Sequence, residues 1–129
     1  PVYELIEDIV FPPVHLAHPS GLLAVGGDLS PARLLAAYRS GIFPWYADGE
    51  PILWWSPDPR FVLFPGELHV SGTLKALLRK KTFTIRSIGF PFVIEACGRP
   101  GPGRENTWIT PAMREAYLTL HEMGYAHSV

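Results

Sequence analysis

Only one cysteine, Cys97, occurs in the 129 residues, so no disulfide can form within the chain and a reducing compartment fits. No apolar run approaches the length needed to cross a bilayer. The first ten residues, PVYELIEDIV, carry no basic side chain and so lack the start of a secretion signal. A soluble, cytoplasmic protein is the expectation. His, Cys and carboxylates never fall at metal-ligand spacing, and Gly26-Gly27-Asp28 lacks the rest of a phosphate-binding loop. No Ser/His/Asp set has a local signature of a nucleophile. Neither a metal nor a cofactor is therefore expected. The net charge is only −1, which by itself excludes a strongly basic nucleic-acid binder.

What the chain does have is proline, glycine and aromatic residues. Fourteen prolines and 12 glycines predict short elements and many turns. Charge is unevenly spread: seven acidic and two basic residues up to Pro59, then nine basic and three acidic from Arg60 to Arg114. A basic middle section can meet a polyanion, although uneven charge in a short chain more often means nothing.

Ser30, Pro31 and Gly41 are the cap, first-turn proline and terminator of a helix over Pro31–Ser40. Ile52–Trp55 and Arg60–Phe64 read as strands, with the stiff Ser56-Pro57-Asp58-Pro59 between them. On a strand, Trp54 and Trp55 point to opposite faces, one buried and one covering a neighbour. Ser71 caps a helix over Gly72–Lys80, Thr82–Arg86 alternates like a strand, and Pro91–Cys97 reads as a short helix. A loop follows over Gly98–Asn106. Thr110 and Pro111 then open a helix that Gly124 closes, and Tyr125–Val129 reads as the beginning of another strand. The order implies an α+β fold. Cys97 reads as a buried structural cysteine, and Asp28, Asp48 and Asp58 as turn residues.

Three features could carry chemistry. Trp45 follows Phe43-Pro44 in a segment too interrupted for a strand interior. It fits either core packing or a platform on which a base stacks. Trp108 lies between a glycine-rich loop and a helix cap, where it either covers the helix start or binds, with Tyr117 one or two turns on. Lys75, Arg79, Lys80 and Lys81 make the Gly72–Lys80 helix basic, Lys75 and Arg79 sharing a face by their spacing of four, with Leu74, Leu77 and Leu78 on the other. An ordinary solvated helix face looks the same.

The stretch from Gly21 to Arg60, GLLAVGGDLSPARLLAAYRSGIFPWYADGEPILWWSPDPR, resembles the front of bacterial leucyl/phenylalanyl-tRNA–protein transferases. GLLAVGGDLSPARLLAAYRSGIFPW and ILWWSPDPR are its strongest parts. Leu68–Ser71, Thr107–Thr110, Glu115–Tyr117 and Leu120–Ser128 extend the similarity through the rest of the chain. The resemblance implies a small N-terminal α/β domain over residues 1–59. Residues 60–129 would be the incomplete start of an acetyltransferase-like domain, the family's C-terminal part being absent.

The activity implied is transfer of leucine or phenylalanine from leucyl- or phenylalanyl-tRNA to proteins with an N-terminal Arg or Lys, which marks them for degradation by the N-degron route. The aminoacyl ester is already activated, so the enzyme needs positioning and charge stabilisation more than a nucleophile of its own. Trp45 and Trp108, with Tyr38 and Tyr117, match positions that hold the terminal adenosine of the tRNA. Lys75, Arg79 and Lys80 fall on the basic helix that holds the acceptor stem, while Gly72 and Ala76 stand where relatives often carry basic residues. The carboxylate proposed to act on the amine lies in the absent part, so no catalytic residue is assigned and the 129 residues alone are expected to be inactive. The competing reading is a catalytically inactive tRNA- or RNA-binding module derived from this family.

Overall fold

A computed structural model describes residues 2–103 and 106–129. Among them lie four α-helices and one four-stranded sheet, an α+β arrangement. The loop expected over Gly98–Asn106 includes Arg104 and Glu105, which lie outside the described residues.

The sheet is built by β1 (Tyr3–Leu5), β2 (Leu22–Gly26), β3 (Phe43–Pro44) and β4 (Leu53–Trp55), in the order β1-β2-β4-β3. β1 runs parallel to β2, with Tyr3 opposite Ala24. β4 is antiparallel to both β2 and β3, placing Trp54 between Ala24 and Pro44. A proline is tolerated in β3 because β3 is an edge strand. Trp54 is fully buried and its indole N–H donates to the Gly26 carbonyl at 2.9 Å. Phe11 meets the Trp54 ring edge-on at 5.0 Å. Trp55, on the opposite side of the strand, stays half-buried, so the two tryptophans divide as their alternation implies.

α1 (Pro31–Arg39) starts as its sequence dictates: the Ser30 hydroxyl accepts from the Arg33 N–H, and Pro31 fills the first turn. Gly41 takes φ +71° just past its end. Arg33 is fully buried and pins the acidic N-terminal segment. Its guanidinium donates to the carbonyls of Ile6 at 2.8 Å, Glu7 at 3.2 Å and Asp8 at 3.3 Å, while Nε lies 3.5 Å from the Asp28 carboxylate. Asp28 accepts from the Ser30 N–H at 2.8 Å, the local turn role expected of it. Hydrogen bonds from Ser30, chiefly, and the Arg33 guanidinium hold the Asp28 carboxyl below its ordinary range.

α2 (Gly72–Lys80) and α3 (Phe90–Gly98) precede α4 (Pro111–Glu122), the longest helix. α4 is capped by Thr110, whose hydroxyl accepts from the Met113 N–H at 3.1 Å. Its Leu120 joins Leu23, Leu34, Ala37, Ile42 and Trp54 in one core. The helix thus closes the sheet's apolar face together with α1.

Three expected strands are absent. Arg60–Phe64 and Thr82–Arg86 follow extended or bent paths outside the sheet, and Tyr125–Val129 folds back on the end of α4. Alternation marks a segment that can pair, and none of these has a strand beside it to pair with. In the last segment the His121 ring N–H donates to the Ala126 carbonyl at 2.7 Å and His127 donates to Gly124 at 3.0 Å. Phe90 stacks on His121 with centroids 4.7 Å apart. Cys97 is exposed rather than buried: it shares the face of α3 that carries Phe90 and Ile94, but near the end of the helix that face borders an open cavity instead of packed side chains.

Candidate functional site

Trp45 comes directly after β3. Its N–H donates to the Leu53 carbonyl at 2.9 Å, and its own carbonyl accepts from the Trp55 indole at 2.7 Å. The backbone is therefore held on both sides while the side chain remains 54% exposed. Trp108 sits two residues before the Thr110 cap of α4. The two indoles stack, with centroids 5.6 Å apart and planes 24° from parallel. Next to them the buried Tyr46 hydroxyl lies 3.3 Å from the Thr110 hydroxyl and ties the loop after β3 to the start of α4.

Tyr38, in the last turn of α1, reaches Tyr117 on α4. Their hydroxyls are hydrogen-bonded and their rings meet edge to face at 6.4 Å. Burial, and then the bond with Tyr38, pushes the Tyr117 phenol well above its ordinary range, so it stays protonated.

Two cavities flank these aromatics. One, of about 340 Å³, is lined by Tyr38, Ile42, Phe43, Trp45, Arg60 and Trp108. The other, of about 400 Å³, lies between α3 and α4 against Ile94, Cys97, Trp108, Met113 and Tyr117. Trp108 is a wall of both. No described carboxylate lines either cavity.

All four aromatic residues singled out from the sequence are thus brought to one cleft from three separate parts of the chain. Lys75, Arg79 and Lys80 are placed differently. They stand exposed on α2, which buries no residue, and none of them pairs with a described carboxylate. Sequence reasoning did not reach Arg60, Tyr46 or Trp55. Arg60 holds its guanidinium 5.2 Å from the Phe43 ring centre and is the cation on the wall of the first cavity. Its place after Pro59 gave it the look of a strand residue. Tyr46 and Trp55 act on the cleft only through the backbone and cap that they hold. Among the described residues no group of three or more His, Cys, Asp or Glu could hold a metal ion, and no helix is long and apolar enough to cross a membrane.

Two family models match the chain: the leucyl/phenylalanyl-tRNA protein transferase N-terminal domain over residues 27–58 and leucyl/phenylalanyl-tRNA protein transferase over residues 62–129. Relatives named leucyl/phenylalanyl-tRNA–protein transferase are closely similar. The one from Syntrophus aciditrophicus is 61% identical, over 100% of this chain and 55% of its own length. Those from Saccharophagus degradans and Pseudomonas putida are each 57% identical over 95% of this chain, and over 52% and 56% of their own lengths. All of these similarities are to tRNA–protein transferases. The chain belongs to the leucyl/phenylalanyl-tRNA protein transferase family. It spans about half the length of the curated relatives it matches.

Proposed function

We propose that these residues are the tRNA-facing part of an aminoacyltransferase. The whole protein moves leucine or phenylalanine from aminoacyl-tRNA to the N-terminal Arg or Lys of a protein, in the cytoplasm, and thereby marks that protein for N-degron degradation. The observation that carries this reading is the stacked Trp45–Trp108 pair with Tyr38 and Tyr117 beside it, in a chain of this family.

In this reading the terminal adenosine stacks on the exposed indoles, since any base offers a π-face and apolar walls strengthen the contact. The neutral Tyr117 phenol and its partner Tyr38 offer hydroxyls for the ribose. Lys75, Arg79 and Lys80 hold acceptor-stem phosphates as point charges, and Arg60 adds a cation at the cleft itself. The acceptor α-amine attacks the ester carbonyl carbon. The bond to the ribose oxygen breaks, an amide forms, and the amine proton ends on the released ribose hydroxyl. Positioning supplies most of the acceleration, because the ester is already activated. No carboxylate among the described residues lines the cleft to relay that proton. The same reading divides the chain at Pro59 and Arg60, with an acetyltransferase-like fold for the second part.

The test is transfer of labelled leucine from leucyl-tRNA to a peptide beginning with arginine, by a protein in which this sequence is joined to the rest of the family's length. Labelled peptide is expected. None, beside an active relative, overturns the reading. Retained tRNA binding without transfer would instead favour the inactive RNA-binding module.

A further inference from the structure

Arg60 ends the run Ser56-Pro57-Asp58-Pro59-Arg60, which is fastened just after β4. The Ser56 N–H donates to the Gly21 carbonyl at 2.8 Å, and its hydroxyl donates to the Gly41 carbonyl at 3.3 Å. Pro57 packs so closely on Gly21 that a Cβ there would lie 2.9 Å from the Pro57 Cα. Two prolines of fixed φ then leave the lead to Arg60 few conformations. The exposed side chain at its end is held without being used up. The guanidinium lies 5.2 Å from the Phe43 ring centre, with Nη1 3.5 Å from where a Cβ on Gly41 would sit. It donates no hydrogen bond to a described residue, and no described carboxylate pairs with it. A cation–π contact occupies none of the five N–H donors of an arginine. Among the described residues Arg60 is also the one charged side chain on the wall of the cavity that Trp45 and Trp108 line.

We propose that Arg60 is the phosphate-binding residue of the cleft: it takes the phosphodiester joining the last nucleotide of the tRNA to the one before it, while that last base stacks on the indoles. Three properties select this ligand. The cavity of about 340 Å³ is at the small end of ligand clefts and has room for one nucleotide rather than a run of them. Its wall joins stacking surface to a single cation, the partners that the base and the phosphate of one nucleotide need. The planar fork of a guanidinium also matches two phosphate oxygens at once. A carboxylate of the acceptor polypeptide is the other anion an arginine could take. Charge disfavours it, because the acceptor brings an N-terminal Arg or Lys that a guanidinium in the cleft repels. This rests on the proposed function and deepens it. Lys75, Arg79 and Lys80 meet the acceptor stem as exposed point charges, whereas Arg60 fixes the register of the strand's end, as phosphate contacts do.

The experiment titrates the protein at low salt with adenosine, with the dinucleotide CpA, and with CpA carrying a neutral methylphosphonate linkage, followed by tryptophan fluorescence and calorimetry. CpA should bind about tenfold more tightly than its neutral analogue, as loss of one charge-assisted contact implies. The difference should shrink as salt is raised. In Arg60→Gln the two dinucleotides should bind alike, with adenosine affinity unchanged. Arg60→Lys should keep part of the preference, since the charge remains and the fork does not. Trp45→Ala should weaken both dinucleotides and preserve their ratio. Equal affinity of CpA and its analogue for the native protein overturns the proposal, and so does a preference that survives Arg60→Gln. In either case adenosine binding would leave the stacking cleft standing. Failure of all three probes to bind overturns the stacking cleft and the proposal with it. Loss in Arg60→Gln of affinity for a peptide beginning Arg-Asp, with CpA binding unaltered, overturns the proposal in favour of an acceptor carboxylate.

Discussion

Trp45 and Trp108 meet with centroids 5.6 Å apart, which leaves no gap for a base between them. Sandwiching one would need planes roughly 7–8 Å apart, twice the ordinary carbon contact distance. A base therefore stacks on an outer face or parts the pair. Either way both indoles contribute, and Trp45→Ala and Trp108→Ala should each cost roughly 1–3 kcal/mol, about 5- to 150-fold, in aminoacyl-tRNA affinity by filter binding. The midpoint of urea unfolding should change little, because both side chains are substantially exposed. Loss of the fold in both would mean that they are packing residues. Tyr117 makes a second prediction. Its phenol is pushed upward in the fold, so its contribution to stability is complete below the ordinary value of 10.0 and is lost as pH rises above it. Thermal melting should fall more steeply above pH 10 in the native protein than in Tyr117→Phe. Equal slopes would refute the assignment.

Among the elements, Arg33 is what ties α1 to the N-terminal segment. Arg33→Met keeps the bulk but strands the carbonyls of Ile6, Glu7 and Asp8, and should cost roughly 2–3 kcal/mol in urea unfolding. New proteolytic cleavage should appear between Ile6 and Asp8. Unaltered stability would show that water replaces the guanidinium at no cost. The elements also differ in how far the chain announces them. α1 and α4 are legible because Ser30-Pro31 and Thr110-Pro111 state their starts, and Gly41 and Gly124 their ends, in local chemistry. Strands depend on distant partners. β2 exists because β1 and β4 lie on either side of it, and the three-residue β1 and proline-bearing β3 give no local sign. Thr82–Arg86 has the alternation and no partner. The same limit applies to the cleft: Trp45 and Trp108 stand out singly as loop tryptophans, but their stacking depends on Tyr46 meeting Thr110 across the fold. Cys97 misleads because residue type reports average burial, while its exposure follows from the open cavity that its side of α3 borders near the helix end.

Across the whole molecule, stability is concentrated at one end. The sheet, α1 and α4 share a core, while residues 60–89 contribute almost nothing to it. Hydrogen exchange on the 129-residue chain should divide accordingly, with slow amides at Ala24 and Trp54 and nearly unprotected ones at residues 60–64 and 82–88. Strong protection of the latter would mean that those segments have found a partner strand.

The stacked indoles also give the molecule an optical signature. Two tryptophans held face to face should couple their strong far-ultraviolet transitions and add a paired circular dichroism signal that the unstacked Trp54 does not give. Anything that slides against or between them alters that coupling. Occupancy of the cleft can then be followed without a label, from the protein's own colourless chromophores, in the same cuvette in which the ligand is added.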